Sequence, residues 1–178
     1  MDLRTTRTIR SAIEIRAPVE VVWSVLTDFA SYPDWNPLVR ELHGRPKVGK
    51  RVTILSQPPG ARGIAFAPLV LIWSAPTELR WRSTLISRRI FSGEHGFRLE
   101  PMDDERVRFV QDEVLTGILV PLYSKVRLPA TRVGFEEMNQ RLRDRAEREA
   151  HPSGCPAKFV KSGLAQPASP RTFVNPDR

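Results

Sequence analysis

The sequence predicts an α+β domain: a curved antiparallel sheet of about six to seven strands wrapped around one long C-terminal helix, with two short helices after the first strand. Three features carry this expectation. Across residues 38–115, short runs alternate apolar and polar side chains with a period of two, and Gly and Pro separate them. Across residues 119–149 the period switches to 3.6. That last segment is also the only element long enough to cover the apolar face of such a sheet.

Residues 8–16, TIRSAIEIR, are rich in β-branched side chains and read as a strand leading into Ala17-Pro18. Pro18 suits a first helical turn, where its missing N–H costs nothing. Val21, Val22, Val25 and Leu26 then repeat at helical spacing up to about Thr27 or Asp28. The following FASYPDWNPLV has room for a short second helix, with Ser31 and Asp34 as caps. Strands are expected at residues 38–43, 51–57, 64–74 (with a break possible at Pro68) and 78–87, where Leu79, Trp81, Ser83 and Leu85 share a face. Residues 90–100 and 106–115 form a hairpin across Met102-Asp103-Asp104-Glu105.

In the closing segment Phe135, Met138, Leu142 and Ala146 make an apolar stripe, and Glu137 with Arg141 and Asp144 with Arg148 are i,i+4 pairs. Pro121 fits its first turn. Pro129 requires that the helix either restart or bend there, because a mid-helix proline costs about 3 kcal/mol. Residues 1–150 therefore form one domain, and residues 151–178, without periodicity and rich in Pro, Gly, Ser and Ala, read as a disordered tail.

The formal charge is +8, but Lys158, Lys161, Arg171 and Arg178 against Asp177 place +3 of it in the tail and leave +5 elsewhere. On the long helix the arginines alternate with Glu136, Glu137, Asp144, Glu147 and Glu149, which describes a solvated face and not a phosphate-binding stripe. Nucleic acid is thus not expected as a partner, whereas weak attraction to an acidic membrane surface is compatible with the charge. The single cysteine, Cys155, cannot close an internal disulfide, which fits a reducing compartment. The first ten residues hold no apolar leader, and the apolar run at residues 64–73 is about half the ~20 residues a membrane helix needs. A cytoplasmic protein is expected. His43, His95, His151 and Cys155 show no metal-ligand spacing, PPGARG lacks the context of a phosphate loop, and no GxSxG elbow occurs. No metal, cofactor or catalytic residue is assigned.

A strongly curved sheet closed by one helix leaves space in its crook, and Trp73, Trp81, Phe91, Phe97 and Phe109 are placed to line or to fill it. Strand parity puts Phe91, Gly93, His95, Phe97 and Leu99 on one inward face. On the next strand Val107, Phe109, Gln111, Glu113 and Leu115 share a face, and the turn length sets His95 opposite either Gln111 or Glu113. A buried carboxylate must be paired, hydrogen-bonded or protonated, and a His–Glu pair supplies one such partner. Trp35 and Asn36 either line the cavity mouth or pin the short helix to the sheet. Tyr123 can reach a ligand from the lid side, and the glycines of residues 57–63 permit a gate.

Residues 22–39, VWSVLTDFASYPDWNPLV, resemble the segment after the first strand of SRPBCC proteins, the START-related, polyketide cyclase/dehydrase-like and lipid-transport-like superfamily with a helix-grip fold. Residues 93–101, GEHGFRLEP, and 119–142, LVPLYSKVRLPATRVGFEEMNQRL, are similar to its later strand and final helix. The resemblance spans about residues 8–148 and implies three kinds of function. A non-enzymatic binder or carrier would bury a lipid or polyketide-like molecule against Trp35, Trp73, Trp81, Phe97, Phe109 and Tyr123, oriented by His95, Gln111 and Glu113. A cyclase or dehydratase would use His95 and Glu113 as acid and base. A protein-interaction module similar to chaperone activators would use its surface. The residues favour the binder over the enzyme.

Overall fold

The computed structural model describes residues 5–57, 60 and 62–152; Cys155, Phe159 and the rest of the expected tail from residue 153 lie outside the described residues. Strand β1 (Thr5–Ile15) leads into helix α1 (Val19–Thr27), a 3-10 turn (Phe29–Ser31) and helix α2 (Tyr32–Trp35). Strands β2 (Val39–His43), β3 (Thr53–Ser56), β4 (Ile64–Phe66), β5 (Leu69–Ser74), β6 (Glu78–Leu85), β7 (Phe91–Asp103) and β8 (Arg106–Gly117) follow, then helices α3 (Val120–Val126) and α4 (Leu128–Ala150).

The architecture is the expected curved sheet gripping a C-terminal helix, with eight strands where about six to seven were expected. They form a five-stranded sheet ordered β1-β8-β7-β6-β5 and a three-stranded sheet ordered β2-β3-β4. The extra strand arises because residues 64–74 divide at Ala67-Pro68, where proline cannot donate to the ladder. The two sheets meet through an Arg51–Leu69 bridge and the bonds Gly49 N to Val70 O and Val70 N to Lys50 O, each 2.9 Å. At the other proline the helix restarts: α3 ends at Val126, and Pro129 sits in the first turn of α4, where no helical N–H is lost.

α4 buries Thr131, Gly134, Phe135, Met138, Asn139, Leu142 and Ala146, which is the predicted stripe with its small and polar neighbours, and it lies against β1 and α1. The YPDWNP segment is structural. Tyr32 is fully buried and donates to Leu26 O at 2.6 Å, and Asn36 Oδ1 accepts from Leu38 N and Val39 N at 2.9 Å each. Together they turn the chain from α1 into β2.

The outer face of the large sheet is held by charge. Arg80 on β6 reaches across Gly96 on β7 to a bidentate pair with Asp112 on β8, at 3.0 and 3.1 Å. Gly96 is required for this, because a Cβ there would lie 2.4–2.8 Å from the Arg80 guanidinium. Gly117 ends β8 at φ +136°, where a Cβ would strike the Ile90 carbonyl, and this bend aims the chain into α3.

Candidate functional site

The interior divides into a filled half and an open half. In the filled half Phe97 and Phe109 stack at 6.0 Å and are wholly buried, with Leu79, Leu99, Val107, Met138 and Leu142 around them. The open half, toward the β8–α3 end, is a cavity of about 670 Å³, within the ~300–1,000 Å³ of small-molecule sites. Val39, Ile54 and Phe66 form one wall, Trp81, Phe91, His95 and Glu113 another, and Leu122, Tyr123, Val126 and Phe135 cover it from the helices.

Of the residues expected at a site, Trp81, His95, Glu113 and Tyr123 line this cavity. Phe97 and Phe109 fill the closed half instead, because the parity that turns them inward does not decide where along the crook α4 packs down. Gln111 is fully buried behind His95, and it touches Met138 Sδ at 3.5 Å. Trp35 stays at α2, its indole N–H donating to Ser31 Oγ at 3.2 Å and its ring edge-on to Tyr32 at 5.1 Å, and it is not among the residues that line the cavity. The bulge between Val70 and Ile72 sets Trp73 opposite Leu79 near the β5–β6 turn, where it meets Trp23 edge-on at 5.5 Å and does not line the cavity.

His95 and Glu113 are direct cross-strand partners, yet the expected His–Glu hydrogen bond does not form. The Gln111 side-chain amide instead makes a buried hydrogen bond with His95 Nε2 at 3.2 Å. The ring stacks on Trp81 at 5.6 Å and meets Phe97 and Phe135 edge-on at 4.6 and 5.0 Å. Burial in this aromatic cage pushes its pKa down to about 3. Glu113 leans the other way, over the bare backbone of Gly93: its Oε1 lies 3.0 Å from where a Gly93 Cβ would sit. That glycine on the inner face of β7 is the sequence signal for the close approach. Burial pushes the Glu113 pKa up to about 7. Tyr123, tilted against Phe91 at 5.0 Å, also has its pKa raised, by burial and then by the Glu113 charge.

Sequence reasoning missed Leu119, Leu122, Val126, Arg127 and Phe135 as lining residues. The first three recur at i, i+3 and i+7, an apolar stripe on α3 that was readable as a face in need of cover. They rim the mouth with Ile64 and Leu85, and Leu122 and Val126 remain 64% and 70% exposed. Arg127 donates to Arg62 O at 3.2 Å, which ties the helix junction to the end of the glycine-containing loop; Pro58, Pro59 and Ala61 of that loop lie outside the described residues. Among the described residues no group of His, Cys, Asp and Glu could hold a metal ion, and no helix is long and apolar enough to cross a membrane.

Solved structures share this architecture at low sequence identity. The Zhui aromatase/cyclase from Streptomyces sp. R1128 superposes with a TM-score of 0.68 at 15% identity, over 84% of this chain and 99% of that one. Norcoclaurine synthase from Thalictrum flavum, in complex with dopamine and hydroxybenzaldehyde, gives 0.59 at 14% identity over 79% and 86%. A START superfamily protein from Mycobacterium smegmatis gives 0.56 at 16% identity over 82% and 97%. These are likenesses of fold. No curated protein matches the sequence. The model of the family described as polyketide cyclase / dehydrase and lipid transport matches residues 6–150, nearly the whole of the described fold, and the chain belongs to that family, within the SRPBCC superfamily.

Proposed function

We propose that this chain binds, and carries or presents, a hydrophobic small molecule in the cavity between the β6–β8 wall and helices α3 and α4. The observation that carries the reading is a cavity of about 670 Å³, open at its mouth, whose walls are aliphatic and aromatic apart from a few polar groups, chiefly Glu113, Tyr123 and His95. Apolar surface of this extent facing a void is a cost to folding that a ligand offsets. His95 supports binding over proton shuttling: with a pKa near 3 it stays neutral at physiological pH and serves as a flat apolar surface between Trp81 and Phe135. The test is titration with the neutral fluorophore N-phenyl-1-naphthylamine. Saturable one-to-one binding is expected, and Ser83→Trp, which adds an indole on the face shared with Trp81, abolishes it without lowering the unfolding midpoint. Equal binding by wild type and Ser83→Trp would remove the cavity from the account.

A second reading, acid–base chemistry on the bound molecule, draws support from Glu113 alone. A carboxyl whose pKa lies near 7 on the wall of a cavity is suited to proton transfer at neutral pH. On this reading Glu113→Gln lowers turnover of a substrate by about 10²–10⁴-fold, whereas His95→Gln does not.

A further inference from the structure

Glu113 stands on the cavity wall without a cation. Among the described residues no hydrogen bond or ion pair reaches its carboxylate, and burial alone accounts for its raised pKa. The groups around it are known from every side. β1 presents Ile9 as its cross-strand partner, and β7 presents Gly93 and the neutral His95. α3 presents Tyr123, and α4 presents Thr131 and Phe135. Among the described residues the only cationic side chain lining the cavity is Arg127, which turns its guanidinium to the Arg62 carbonyl at 3.2 and 3.4 Å.

A carboxylate in an apolar wall is tolerable while water can reach it from the cavity. A purely apolar ligand displaces that water and leaves the acid unpaired, which is strongly unfavourable. A ligand carboxylate adds like-charge repulsion. A ligand that brings its own cation to this point removes the penalty and gains a charge-assisted hydrogen bond in a desolvated setting. Resting on the binding role proposed above, we infer that the cavity takes a hydrophobic amine: an aromatic or aliphatic body against Trp81, Phe91 and Phe135, with a protonated nitrogen seated on Glu113.

Affinity for such a ligand rises between pH 6 and pH 8 as Glu113 loses its proton, because an alkylammonium keeps its own until roughly pH 10. The experiment is calorimetric titration of the full-length protein with three ligands of matched shape: 2-(1-naphthyl)ethylamine, 2-(1-naphthyl)ethanol and 3-(1-naphthyl)propanoate. At pH 8 the amine binds about tenfold or more tighter than the alcohol, and the propanoate more weakly than either. Glu113→Gln removes the amine's advantage, bringing its affinity to within about twofold of the alcohol's on the same variant. In wild type the amine preference shrinks at pH 5.5, a readout that needs no variant. If the alcohol binds but the amine has no advantage at pH 8, the amine inference is wrong and the cavity reading stands. If none of the three binds, both fall.

Discussion

Glu113 makes the apo protein less stable as the medium becomes more alkaline, and Glu113→Gln isolates the effect. Its folded-state pKa lies near 7, against an unfolded value of 4.5. The native state therefore holds a proton that the unfolded state has released, and between these two values stability falls as pH rises. Below pH 4.5 both states are protonated and the term vanishes; above pH 7 it is fully expressed. The difference between the two values corresponds to about 3 kcal/mol, an upper figure because the carboxylate faces the cavity and is screened by water there. His95 works in the opposite sense: its pKa is depressed to about 3, so its contribution is lost as pH falls below about 6.5. Subtracting the variant from wild type cancels that term. Urea unfolding of both proteins from pH 4 to pH 8.5 reads the result. The account predicts equal stability near pH 4 and an advantage for Glu113→Gln of about 1–3 kcal/mol at pH 8. A variant less stable than wild type at pH 8, or a difference that does not change with pH, would refute the reasoning.

Three further outcomes follow from the geometry. The His95 ring resonances followed by NMR show no inflection between pH 5 and pH 8, since the neutral form persists to about pH 3; a titration near pH 6.5 would contradict the caged, hydrogen-bonded ring. Gly96→Ala drives a Cβ into the Arg80 guanidinium and breaks its bidentate pair with Asp112; a loss of about 1–3 kcal/mol is expected in urea unfolding, and an unchanged midpoint would mean the outer-face pair contributes nothing. Phe97→Ala, in the filled half, costs about 3–5 kcal/mol. Phe91→Ala, on the cavity wall, costs less than half as much; similar losses at both positions would contradict the division of the interior.

Much of this arrangement was legible in residue patterns because period-two alternation fixes which way a side chain points. The hairpin length placed His95 opposite Gln111 or Glu113, and both relations exist: Glu113 is the cross-strand partner and Gln111 makes the hydrogen bond. Parity could not say how far along the groove α4 packs down. For that reason Phe97 and Phe109, inward like His95, belong to solid core, whereas Trp81 two residues from Leu79 faces open space. The placement of Trp73 was hidden for a different reason. Pro68 marked the break between β4 and β5, but the bulge at Val70/Ile72 interrupts the alternation without a residue that distinguishes it from an unbroken apolar run. The lid was hidden by a proline. Pro129 was compatible with a bend or a restart, and only the restart frees α3 as a separate turn of helix whose Leu122 and Tyr123 face the cavity.

The central claim is that the cavity holds a hydrophobic molecule, and native mass spectrometry of the freshly purified full-length protein tests it most directly, followed by denaturing extraction of whatever travels with it. The account predicts a retained hydrophobic molecule near one-to-one stoichiometry that Ser83→Trp does not carry. A bare protein mass in both, together with no binding of hydrophobic amines, alcohols, sterols or aromatic polyketides, would contradict it.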